Sequence, residues 1–169
     1  VAIENARLYR EASEKARLEQ ELHIAAEIQQ ALMPPSEFTS RFFDVAGTTV
    51  PCRAIGGDFF DLFELPGSRV AFVIGDVAGK GIEAAALTSI AKSTLRAYSY
   101  ELHEPAQVAY ATNNALAQQT GEGRFISMVY GIIDLPTGAT RIVCAGHPLP
   151  LICDELGCTL GSDRTARAR

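Results

Sequence analysis

From residue 1 to about Met33 the chain is rich in Glu, Ala, Leu, Gln and Arg and carries no glycine, and Leu18, Leu22, Ala25, Ile28 and Leu32 recur at spacings of three and four. That spacing predicts an amphipathic helix. Pro34-Pro35 ends it, because proline cannot donate the next backbone hydrogen bond and disfavours helix at the preceding residue. Beyond Pro35 the pattern shifts to short apolar runs between turn residues, which predicts strands near Phe43–Pro51, Gly57–Leu65 and Val70–Val77. Two helices follow. The first runs over Gly81–Tyr100 with Ile82, Ala85, Ala86, Ile90 and Leu95, and Pro105 opens the second over Ala106–Gln119. Strands resume at Arg124–Leu135, Ala139–Cys144 and Leu149–Cys153. A strand block, two helices and a second strand block read as α+β, with the helices on one face of an antiparallel sheet.

Chemistry concentrates at two neighbouring stretches. Gly56-Gly57-Asp58-Phe59-Phe60-Asp61 and Gly75-Asp76-Val77-Ala78-Gly79-Lys80-Gly81 each set an acidic residue beside glycines at the edge of an apolar run. Pro66-Gly67-Ser68 between them is a turn signal, so a β-hairpin would bring Asp58 and Asp76 together. Two converging carboxylates repel unless a cation lies between them, which favours metal binding over solvated turn aspartates. Asp61, three residues beyond Asp58, is sent to the opposite face by strand alternation and is assigned an accessory or turn role. Gly75–Gly81 is not a Walker loop: three residues rather than four precede the Gly-Lys pair, and Gly81 follows the lysine.

With Ala145-Gly146-His147-Pro148 and the lead-in Glu27-Ile28-Gln29-Gln30-Ala31-Leu32-Met33-Pro34, these stretches resemble the bacterial PP2C-like (PPM) serine/threonine phosphatases of the RsbU and SpoIIE type. The resemblance runs to about Cys153. It implies a partial PPM αββα sandwich behind a long N-terminal amphipathic or coiled-coil helix. It also implies two Mn²⁺ or Mg²⁺ ions holding the water that attacks a phosphoserine or phosphothreonine. Carried over by position, Asp76 would bridge the ions, Val77 would lend its carbonyl and Asp58 would complete one ligand set. Gly57, Gly79 and Gly81 would let backbone approach ions and phosphate. His147 would orient a loop or act directly, and Ser127 would pack or hydrogen-bond within the sheet.

The same resemblance divides the chain into a linker helix over 1–34, closing an upstream GAF-like sensor region, an incomplete phosphatase domain over 35–160 and a disordered tail over 161–169. Relatives carry a later Thr-Asp-Gly strand and a further aspartate, both metal ligands, which do not occur up to Arg169. The implied substrate is a phosphorylated STAS-type anti-sigma-factor antagonist in sigma-factor signalling. The alternative is a catalytically inert fragment whose working part is a dimerising helix. A helix of about 30 residues, roughly 45 Å by its rise, suits a homodimeric coiled coil or a packed N-terminal helix.

Composition narrows the choice. The net charge of −5 and the scattered basic residues show no basic stripe with interleaved aromatics, which discards nucleic-acid binding. No apolar run approaches the roughly 20 residues of a membrane helix. The four cysteines, Cys52, Cys144, Cys153 and Cys158, form no Cys-x-x-Cys pair. A cytoplasmic, reduced chain without disulfides is the resulting expectation, with Cys144 and Cys153 as buried thiols rather than zinc ligands beside His147 and Cys158.

Overall fold

The computed structural model describes residues 2–39, 42–50, 55–120, 123–155, 157–161 and 166–167. Its first element is α1 (Ala2–Ala31), which ends at the Pro34-Pro35 stop as the sequence predicts. The hairpin of β3 (Asp58–Leu65) and β4 (Arg69–Val77) follows two short strands, β1 (Glu37–Thr39) and β2 (Asp44–Ala46), that pair with each other. Only the start of the strand expected over Phe43–Pro51 is regular; residues 51–54, Cys52 included, lie outside the described set. After β4 come α2 (Ile82–Glu101) and α3 (Pro105–Ala117), then β5 (Ile126–Asp134) and β6 (Ala139–Ala145). Pro105 stands in the first turn of α3, where its missing N–H leaves no hydrogen bond unmade.

One five-stranded sheet, in the order β3-β4-β5-β6 and then the short β9 (Ala166–Arg167), forms the centre, antiparallel throughout. Because side chains alternate along each strand, the register sorts them cleanly into two faces. Phe59, Phe63 and Leu65 of β3, Ala71, Val73 and Val77 of β4, and Met128, Tyr130 and Ile132 of β5 share the face covered by α2 and α3. Leu95 and Val108 close this core from the helices. Tyr130 is fully buried there and donates to Ser99 Oγ at 2.8 Å, while burial raises its pKa above the usual range against the lowering effect of that bond. The architecture is α+β, with the helical layer on one side of the sheet.

Two expectations fail at the C-terminal end. Cys153 and Cys158 are joined by a disulfide, their Cα atoms 4.0 Å apart. The reason is the hairpin of β7 (Leu151–Asp154) and β8 (Gly157–Leu160), which places the two residues directly opposite each other; a linear spacing does not show that closeness. Both cysteines are exposed, so Cys153 is no buried thiol, and Cys144 is the free cysteine among the described residues. The second concerns the tail expected to be disordered: Ala166 and Arg167 pair with Thr140 and Ala139 of β6. A strand edge recruits a neighbour through backbone groups alone, so no apolar pattern announces it. Residues 162–165 and 168–169 lie outside the described set.

Most of α1 is exposed, including Leu18, Leu22, Ile28 and Leu32 of the predicted stripe. The helix meets the domain only near its C-terminal end, where Ala25 of that stripe and its neighbours Ala26, Gln29 and Met33 are half-buried. Lys92 of α2, only 8% exposed, donates to Leu32 O at 2.7 Å. A cation at a helix C-terminus is favourably placed against the helix dipole. Burial lowers the Lys92 pKa below the usual lysine range; the nearby Asp61 carboxylate opposes that shift and Arg96 adds to it.

Candidate metal centre on the open sheet face

The β3–β4 hairpin turns through Pro66-Gly67-Ser68, and its register sets Asp58 directly opposite Asp76. Asp76 in turn faces Ser127 of β5. Asp58, Asp76 and Ser127 thus form a row across three strands, on the sheet face away from α2 and α3. Both aspartates are exposed, and neither has an ion pair among the described residues.

Gly57 explains how a third oxygen joins them. A Cβ placed on Gly57 would lie 2.3 Å from Val77 O and 3.0 Å from Asp76 Oδ1, so a backbone carbonyl and a carboxylate oxygen converge on one small space beside its Cα. No larger residue fits there. Two hydrogen bonds hold Gly57 in place, with Val77 N donating to Gly57 O at 3.2 Å and Thr88 Oγ1 donating to the same oxygen at 3.2 Å. Oxygen donors of this kind suit Mg²⁺ or Mn²⁺. Among the described residues no group of three or more His, Cys, Asp or Glu side chains gathers for a metal, so the pair supplies two carboxylates and a carbonyl.

Past Val77 the chain turns at Gly79 (φ 128°) and Gly81 (φ 79°) into α2, whose N-terminus has no side-chain cap. Its first N–H groups therefore lack intrahelical partners and face whatever anion approaches. Lys80 is exposed at this corner. On the other flank, Gly146 takes a left-handed φ of 65°, a conformation that L side chains resist, and brings His147 back over the sheet. His147 Nδ1 and Ser127 Oγ are 2.9 Å apart, and Cys144 Sγ donates to His147 O at 2.8 Å. Ser127 therefore reaches beyond the sheet to the loop, and whichever partner donates, the bond fixes the imidazole. His147 and Asp58 line one open recess of about 580 Å³, walled by residues 45–50 and floored by Phe60 and Ile74.

Asp61 stands apart. It is 5% exposed, on the helical face, where Arg96 donates to both carboxylate oxygens at 3.0 and 2.9 Å and Leu62 N donates at 3.0 Å. The Arg96 guanidinium also lies over the Phe63 ring, 4.6 Å from its centroid. Alternation anticipates the face; the partner 35 positions away is visible only in the fold.

Gln29 of the lead-in Glu27–Pro34 takes a part that its place in the sequence does not show. Its side-chain amide grips the Gly56 peptide at both ends, Nε2 donating to Gly56 O at 2.7 Å and Gly56 N donating to Oε1 at 3.3 Å. A lone glutamine on the half-buried side of α1 was the available signal. Replacing Gln29 by Ala is expected to cost about 1–2 kcal/mol and to speed amide exchange at Gly56 and Gly57, measured by hydrogen–deuterium exchange. Unchanged exchange at both glycines would show that the clamp positions nothing.

A family model described as Stage II sporulation protein E (SpoIIE) matches residues 66–165. The phosphoserine phosphatase RsbU of Bacillus subtilis is 28% identical over 130 residues, covering 77% of this chain and 38% of RsbU. Among solved structures, the RsbU and RsbW domains of a Mycobacterium tuberculosis protein align with a TM-score of 0.58 at 31% identity, over 67% of this chain and 32% of that one. The SiaA-PP2C domain of Pseudomonas aeruginosa gives 0.65 at 19% identity, over 82% and 57%, which is a likeness of fold. The chain spans between a quarter and two fifths of the curated relatives it matches.

Proposed function

Because the chain belongs to the SpoIIE family, carrying part of a PP2C-like domain of the RsbU/SpoIIE type, we propose that residues 35–160 act as a metal-dependent protein serine/threonine phosphatase domain. The observation that carries this reading is the convergence of Asp76 Oδ1 and Val77 O beside Gly57, with Asp58 opposite Asp76. Asp58, Asp76 and the Val77 carbonyl would hold Mn²⁺ or Mg²⁺, which when bound lowers the pKa of water and offsets the phosphate's charge. Asp76, sharing its space with Val77 O, would be the carboxylate shared between ions. The uncapped start of α2 presents N–H groups to a phosphate oxygen, and Gly79 and Gly81 keep side chains out of its approach. Ser127 holds the His147 ring at the rim of the recess, where it can hold a proton near the leaving group.

The substrate we infer is a phosphorylated STAS-type anti-sigma-factor antagonist, on the strength of the RsbU likeness. Hard divalent ions take six or more oxygen ligands, so two carboxylates should hold them loosely and turnover should be slow. The test is Mn²⁺-dependent phosphate release from a phosphoserine protein. Slow release from this chain, and faster release from a version extended through a Thr-Asp-Gly strand and a further aspartate, is the expected result. Equal rates would show that the added ligands do not matter.

The exposed Leu18, Leu22, Ile28 and Leu32 favour a second reading, in which α1 of the 1–34 linker pairs with α1 of another copy. An isolated helix with an uncovered apolar stripe gains a partner for it by dimerising. Replacing Leu22 and Ile28 by Lys should convert a dimer to a monomer in light scattering. An unsubstituted chain that is monomeric at high micromolar concentration refutes the pairing.

A further inference from the structure

Behind the acidic row, between α3 and the sheet, lies a second cavity of about 190 Å³. Phe59 and Met128 line it from the sheet, and Ala109, Thr112 and Leu116 from α3. Thr112 is 2% exposed, and its Oγ1 has no hydrogen-bond partner among the described residues. That is unusual within this molecule. Thr88, Ser89, Ser99 and Thr120 each donate to the carbonyl four residues earlier, at 3.0, 3.2, 2.6 and 3.1 Å. A buried hydroxyl left without a partner is destabilising, so it calls for one.

We propose that this cavity binds a small single-ring molecule bearing one hydroxyl, of the phenol class. The ring fills the apolar space and the hydroxyl pairs with Thr112 Oγ1. An apolar cavity of about 150 Å³ is enough for benzene. A water molecule suits the space less well, since it needs two to four polar partners and the floor is Phe59 and Met128. Asn113, Thr120 and Arg124 also line the cavity, but the Thr120 hydroxyl donates to Leu116 O and the Arg124 guanidinium is paired with Glu83.

The occupant would sit directly behind the acidic row. Phe59 and Met128 are the chain neighbours of Asp58 and Ser127, and the Phe59 ring lies against Gly75, the neighbour of Asp76, where a Cβ would come within 2.7 Å of it. Binding therefore touches β3 and β5 directly and reaches β4 through the Phe59 ring. The readout below is binding itself, so its failure is distinct from a failure of the phosphatase reading.

The experiment titrates the chain with phenol and, separately, toluene, following methyl and amide NMR signals. Saturable shifts at Met128 and Ala109, with smaller ones at Asp58, Asp76 and Ser127, are expected for phenol. Thr112→Val should weaken phenol about tenfold and leave toluene unchanged, and Ala109→Leu, which fills the cavity, should abolish both. Absence of saturable shifts, or phenol binding that survives Ala109→Leu, would overturn the site. A phenol affinity untouched by Thr112→Val in a folded protein would overturn the role of the hydroxyl.

Discussion

Asp76→Asn is expected to remove divalent-metal binding and at the same time to stabilise the metal-free chain. A neutral amide keeps one carbonyl oxygen but no charge, so the carboxylate that shares its space with Val77 O beside Gly57 is lost as a metal ligand. Like charges directly opposite on paired strands destabilise a sheet by about 0.2–1 kcal/mol, so ending the Asp58–Asp76 repulsion should return that amount. Asp58→Asn should relieve the same repulsion but weaken metal binding less. Isothermal titration with Mn²⁺ and thermal melts without metal measure the two effects together. Equal Mn²⁺ binding by Asp76→Asn and the unsubstituted chain would remove Asp76 from the centre.

Arg96→Leu should do the reverse, destabilising the fold by about 3 kcal/mol with Mn²⁺ affinity intact. The substitution leaves the Asp61 carboxylate buried without its two-point partner, and an uncompensated buried charge is far costlier than the net worth of the pair it came from. Lys92 nearby and the Leu62 N–H temper the loss without replacing the guanidinium contact. Chemical denaturation gives the stability and titration below the melting range gives the affinity. A variant that kept its stability but lost Mn²⁺ would move Asp61 into the metal centre, against its place on the helical face.

The acidic hairpin was legible before any fold was known, because two local rules act together there. Period-two alternation from Asp58 to Leu65 and from Val70 to Val77 sets the faces, and the Pro66-Gly67-Ser68 turn sets the register. Asp58 opposite Asp76, and Asp61 turned away from both, follow from those rules alone. Pro34-Pro35 and Pro105 mark helix boundaries for an equally local reason, the missing N–H. The disulfide shows where such rules stop: Cys153 and Cys158 meet because β7 and β8 pair with each other rather than continuing the main sheet.

What tertiary structure alone decided are the contacts across long stretches of chain. Gln29 reaches Gly56 over 27 positions and Lys92 reaches Leu32 over 60, so the last turn of α1 is tied to the peptide just before the acidic row. His147 finds Ser127 over 20 positions, through the left-handed turn at Gly146. The Thr112 hydroxyl, without a partner among the described residues, is buried where α3 packs over the sheet near Phe59 and Met128. Periodicity and turn chemistry act within a few residues and so determine elements, faces and register. Which polar group meets which across the packed layers depends on the close fit of those layers, and that fit is a property of the whole fold.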